Sequence, residues 1–200
     1  FEDKEMKILS KVKQNAIDNG DMLATAFFRI ADAGVVEDET IPTHAFVLVY
    51  KDFKQLANSS NIWSSAEKVL GMNPNYISTN EISKTMMIQR FKLIDEILPL
   101  REFKYAVWNY SKPKNFGGFV NENLKLWKPY FEKKIGQKGL AGWGILARVY
   151  PQGMNESSIV SYDHYTSLEA AMQALSPMDF DPSILAKSKM SEYDPEGFRY

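Results

Sequence analysis

The chain has 200 residues, 44% hydrophobic and 24% charged, with 24 Lys+Arg against 25 Asp+Glu for a net charge of −1. That balance lacks the basic excess with which a protein neutralises nucleic-acid phosphates, and no apolar run reaches the roughly 18 residues of a helical membrane span. The absence of cysteine removes disulfides, thiolate nucleophiles and Cys-ligated metals together, while leaving the compartment open.

The first apolar stripe, Met6, Leu9, Val12, Ala16 and Ile17, has the three-and-four spacing of one buried helical face, and Gly20 supplies the left-handed stop. Two runs rich in aromatic and aliphatic residues, Ala24 to Ile30 and Ala45 to Tyr50, then read as an antiparallel hairpin around a Gly-containing turn. Ser78-Thr79-Asn80-Glu81 is a capping-box pattern and predicts a helix over Ile82 to Leu98. Phe103 to Tyr110 reads as a strand ended by Ser111-Lys112-Pro113. Gly117-Gly118 follows as a βα loop without the context of a phosphate-binding motif.

A second helical stripe, Leu124, Trp127, Phe131 and Ile135, precedes Gly139 and two further strands, Trp143 to Tyr150 and Ile159 to Tyr162. These elements repeat the first ones. Gly20, Arg29 and Gly34 recur as Gly139, Arg148 and Gly153, each displaced by 119 positions, and Tyr50 to Leu56 lies over Tyr162 to Leu168 at a displacement of 112. The difference falls in Val35 to Thr43 against Met154 to Ser157, where a hairpin loop absorbs an insertion at little cost. The expectation is an α+β protein of tandem ferredoxin-like (βαββα) repeats with antiparallel sheets, residues 1–100 and 101–200, divided near Pro99 to Arg101. The first repeat begins at its helix, so its first strand is expected upstream of Phe1, or its sheet has a position that another chain fills.

The segments Val107 to Pro113, Leu126-Trp127-Lys128-Pro129, Gly139 to Trp143 and Tyr150-Pro151-Gln152-Gly153 carry a resemblance. In them the chain resembles a group of uncharacterised, often exported bacterial proteins of ferredoxin-like, dimeric α+β barrel type, over most of residues 103–175 and more loosely over 1–57. The resemblance implies a homodimer or an intrachain pseudo-dimer, with export to the periplasm or beyond slightly favoured over the cytoplasm. Its wider superfamily implies three kinds of activity: cofactor-free monooxygenases, haem-binding and haem-degrading enzymes, and plain binding proteins.

The candidate site residues each have a bland and a functional reading. His164, one of two histidines, is either an exposed residue in the first turn of a helix, with Asp52 as its counterpart, or a general base or haem ligand. Arg29 and Arg148 either pair with carboxylates at their strand ends or clamp an anionic group such as a haem propionate. Trp108, Tyr110, Trp143, Tyr150 and Tyr162 are core, or walls for a flat apolar ligand. No spacing suits a metal, and no Gly-x-Ser-x-Gly elbow is present. The leading expectation is a non-catalytic protein that binds a small aromatic or amphipathic molecule, with Trp108, Tyr110 and Tyr162 as walls and Arg148 and Arg29 as anion contacts. It needs no cofactor. The alternatives are an assembly protein, and a cofactor-free monooxygenase or haem-linked oxidoreductase using His164.

Overall fold

A computed structural model describes residues 1–31, 41–99, 102–176 and 181–195. The chain is mixed α+β, with a two-stranded and a four-stranded antiparallel sheet, and it divides into two compact units, Phe1–Met87 and Ile88–Tyr200. Most of the loop expected at Val35 to Thr43, and the end of the expected boundary at residues 100–101, lie outside the described residues. Among the described residues no helix is long and apolar enough to cross a membrane.

The first unit opens with α1 (Glu2–Lys4), a π-helical stretch Glu5–Leu9 and α2 (Ser10–Asp18). Gly20, at φ 75°, turns the chain out of α2, as only glycine does without strain. Strands β1 (Ala24–Arg29) and β2 (His44–Val49) pair antiparallel with Phe27 opposite Phe46 and Arg29 opposite His44. Short helices α3 (Phe53–Ala57) and α4 (Ala66–Leu70) follow, flanking the 3-10 stretch Ser59–Ser65. Val12 and Ala16 of α2 pack against Met22, Ile62 and Ala66 to form the core. Burying each larger side chain contributes about 1.5–3 kcal/mol.

The second unit holds β3 (Arg90–Ile97), β4 (Tyr105–Ser111), α5 (Phe116–Glu122), a π-helical stretch Asn123–Trp127, α6 (Lys128–Glu132), β5 (Leu140–Tyr150), β6 (Ile159–Tyr165) and α7 (Leu168–Leu175). Two four-residue helices, α8 (Pro182–Leu185) and α9 (Met190–Tyr193), close it. The sheet order is β3-β5-β6-β4, each neighbouring pair antiparallel, so β4 and β5 run the same way with β6 between them. The α5–α6 segment makes that crossover. Trp143 and Ile145 of β5 and Ile159 of β6 meet Phe119, Leu124 and Phe131 of the helical layer, while Ala170 and Ala171 of α7 meet Val107, Leu140 and Tyr165.

Four expectations change. Residues 90–97 are a strand rather than part of a helix over Ile82 to Leu98, and this strand belongs to the second unit. A β-bulge between Leu93 and Asp95 puts both Ile94 and Asp95 towards the helical layer, where Ile94 joins the core and Asp95 meets Lys128 of α6. One inserted residue converts two-residue alternation into the three-residue spacing of a helix. Gly139 has φ 79° but lies in the turn entering β5, several residues after α6 ends at Glu132; Gly136, at φ 85°, is the first left-handed residue after that helix. Gly117 and Gly118 lie in the first turn of α5, where the Asn115 side chain caps the Gly118 N–H at 2.9 Å. Finally, His164 lies within β6, and Asp52, the N-cap of α3, corresponds in role to Ser167, the N-cap of α7.

Candidate functional site

Side chains alternate across a strand, so the register of the four-stranded sheet decides which residues share the face turned away from the helices. Glu96 of β3 stands opposite Gly144 of β5, Gly144 opposite Tyr162 of β6, and Tyr162 opposite Trp108 of β4. These four form one row across the whole sheet. On one side of it lies the row Gly142, His164, Ala106; on the other, Leu93, Leu146, Val160, Tyr110. Arg148, opposite Phe91, is at the far end of the same face. Four of the predicted ligand-binding residues, Trp108, Tyr110, Arg148 and Tyr162, together with His164, are therefore gathered on one surface. Arg29 is in the first unit, exposed at the end of β1, where it lends its positive charge to the field at Glu2 beside His44. Trp143 belongs to the core beneath the helices, and Tyr150 is exposed under the Arg90 guanidinium.

The two glycines of β5 shape this surface. A Cβ on Gly144 would overlap the Tyr162 ring, and one on Gly142 would come within 3.2 Å of His164 Nδ1. Both rings therefore lean over the β5 backbone where side chains are missing. Ring contacts run on from there: Tyr162 to Trp108 with centroids at 6.4 Å, Trp108 to Phe91 at 6.3 Å, Tyr162 to His164 at 4.8 Å, and His164 stacked on Phe103 at 3.7 Å. The first three separations are those of offset and edge-on aromatic packing, while His164 and Phe103 lie face to face.

Polar groups are few and specific. The Tyr162 hydroxyl donates to Glu96 Oε2 at 2.9 Å. Burial, and then the negative charge of Glu96, push the Tyr162 phenol above its ordinary range, so it stays protonated and donating. His164 Nδ1 is buried and has no hydrogen-bond partner among the described residues. Burial lowers the His164 pKa to about 4, so the ring is neutral near pH 7. Arg148 is buried at 8% exposure, yet its charge is already matched: Nη1 donates to Glu156 at 2.9 Å and Nη2 to Ser157 at 2.6 Å. Its guanidinium also lies over the Phe91 and Tyr110 rings, at 5.3 and 6.0 Å.

Glu96, Phe91 and Phe103 are the residues of this surface that sequence reading passes over. Glu96 and Phe91 were hidden inside the expected helix. The alternation Phe91-Lys92-Leu93 is the one local signal for a strand there. No group of three or more potential metal ligands occurs among the described residues. Neither protein-family profiles nor curated protein sequences match this chain.

Proposed function

We propose that the second unit, read as ferredoxin-like in topology, binds a small aromatic or amphipathic molecule on the sheet face that carries Trp108, Tyr110, Tyr162 and His164. The observation that carries this reading is the row Glu96, Gly144, Tyr162, Trp108: a strip in which the Tyr162 ring lies on the Gly144 backbone, Trp108 stands at one end, and Glu96 and the Tyr162 hydroxyl converge at the other. Binding sites for small molecules combine apolar walls with a few placed polar groups in this way. Trp108 is only half-buried, leaving ring surface for a ligand to cover. The test is titration with indole, benzyltrimethylammonium and benzenesulfonate, followed by the NMR resonance of the Trp108 indole N–H, assigned with Trp108→Phe. Saturable shifts with at least one probe, weakened in Tyr110→Leu, support the reading; no saturable shift with any of the three overturns it.

A second reading, cofactor-free oxygenation with His164 as proton acceptor, is favoured by the neutral imidazole and its unpartnered Nδ1. It requires turnover that vanishes in His164→Ala. Haem does not fit these residues as well. Arg148, the expected propionate contact, is already engaged by Glu156 and Ser157.

A further inference from the structure

The charge arrangement on the aromatic face narrows the class of ligand. Of the cationic side chains that β3 and β5 carry on that face, Arg90 lies at its far end over the Tyr150 ring, and Arg148 spends its charge on Glu156 and on the Ser157 hydroxyl. Its remaining atom, Nε, is buried and so offers a carboxylate no bidentate approach. The anionic side chain, Glu96, is in the opposite condition. Its Oε2 accepts from a neutral phenol, Oε1 accepts no hydrogen bond from a described residue, and no described Lys, Arg or His lies within ion-pair distance. Lys128, which follows the neighbouring Asp95, is held on the helical side of the sheet at 2.8 Å from that carboxylate.

We propose that the aromatic face takes an organic cation, an aromatic or amphipathic ammonium whose charge sits between the Glu96 carboxylate and the π-face of half-buried Trp108, above the buried Tyr162. This rests on the binding reading above and specifies its ligand class. A half-buried carboxylate beside aromatic rings attracts positive charge twice, through its own charge and through the negative faces of the rings. An anion on the same strip would meet Glu96 across a partly desolvated space, where like charge is penalised most. The Tyr162 hydroxyl holds Glu96 in place while leaving the second oxygen for the ligand. The expectation that Arg148 clamps an anion is replaced by the opposite polarity at the other end of the row.

The experiment compares three probes on the intact chain: benzyltrimethylammonium, its uncharged isostere neopentylbenzene, and benzenesulfonate, each followed by the Trp108 indole resonance. The proposal expects the cation to bind at least about tenfold more tightly than the neutral isostere, and the anion to bind more weakly than both. In Glu96→Gln, whose amide oxygen still accepts from Tyr162, the cation loses that advantage while neutral binding is unchanged. Unaltered near-ultraviolet circular dichroism of the variant shows that it folds. Equal or tighter binding of the neutral or anionic probe overturns the cation assignment and leaves the binding reading standing. Failure of all three probes to bind overturns both. If Glu96→Gln does not fold, Glu96→Asp, which keeps the charge but retracts it, is expected to weaken the cation alone; an equal loss for the neutral probe overturns the assignment.

Discussion

The Tyr162 ring lies across Gly144 of the adjoining strand, in the space that any side chain at position 144 would occupy. This single overlap fixes the direction of the phenol towards Glu96. Gly144→Ala is therefore expected to destabilise the chain by about 1–3 kcal/mol, the usual penalty for overpacking a filled site. It also breaks the Tyr162–Glu96 hydrogen bond, so chemical denaturation and the Tyr162 hydroxyl environment should change together. A neutral effect on both would show that the ring is free to move.

His164 makes stability depend on pH. An imidazole titrates near 6.5 when unfolded, and burial lowers it to about 4 in the folded chain. Between those values the unfolded state binds the extra proton, so stability rises with pH across this window, is complete above about 6.5 and is lost as pH falls towards 4. The ring is partly exposed, which reduces the effect to about 2 kcal/mol. Urea titrations at pH 4.5 and 7.5 should differ by that amount in the wild type, and His164→Phe should remove this part of the difference. An unchanged pH dependence in the variant would refute the assignment.

Glu122 ties the helical layer to the end of the chain. Its Oε1 accepts from the Trp127 indole at 3.0 Å and from Ser188 Oγ at 2.7 Å, and Oε2 accepts from the Lys189 backbone N–H at 2.9 Å. Glu122→Ala strips the partner from the half that carries α9, at a cost of about 2–3 kcal/mol. Limited proteolysis should then cut first between Ala186 and Tyr193. Persistence of the wild-type cleavage pattern would argue that apolar contacts of Met190 and Tyr193 alone hold the segment.

Glu156→Ala leaves Arg148 buried with Ser157 as its one hydrogen-bond partner among the described residues. The Glu156 side chain is 40% exposed while that of Arg148 is 3% exposed, so the loss falls mainly on the buried cation. The expected destabilisation is about 1–3 kcal/mol, read from the shift in denaturation midpoint. Raising the salt concentration should lower wild-type stability only slightly, because this pair is shielded from counterions.

Most of this architecture was legible from periodicity, and the exceptions have physical causes. The stripes Val12, Ala16 and Leu124, Phe131 face the cores as their spacing requires, and five of six strands fall close to their expected positions. Strand β3 was not legible because its bulge at Ile94 imitates helical spacing, while the capping-box residues Ser78 to Glu81 lead into a turn and then irregular chain instead of a helix. Losing β3 hid Glu96, the end of the row to which Tyr162 and Trp108 belong, and Phe91, which packs edge-on against Trp108. His164 was misplaced by one element because Asp163 and His164 look polar enough to end a strand. In the sheet, Asp163 accepts from Asn109 across β4 at 3.1 Å while His164 stacks on Phe103. Each unit places a helical segment before an antiparallel hairpin, and the helices that follow the two hairpins are capped by Asp52 and Ser167, not by Asp52 and His164.

The π-helical stretch Asn123–Trp127 carries one more residue in its turn than an α-helix would. That surplus brings Trp127 directly above Glu122, five positions back, in reach of its carboxylate. It also sets the angular phase of everything downstream. Deleting one residue from this turn would restore a regular helix and rotate α6 by about 100°. Phe131 would swing away from its stack on Trp143, and Lys128 from Asp95. The widened turn thus acts as a phase shifter, aligning two parts of one helix with different targets on the sheet below.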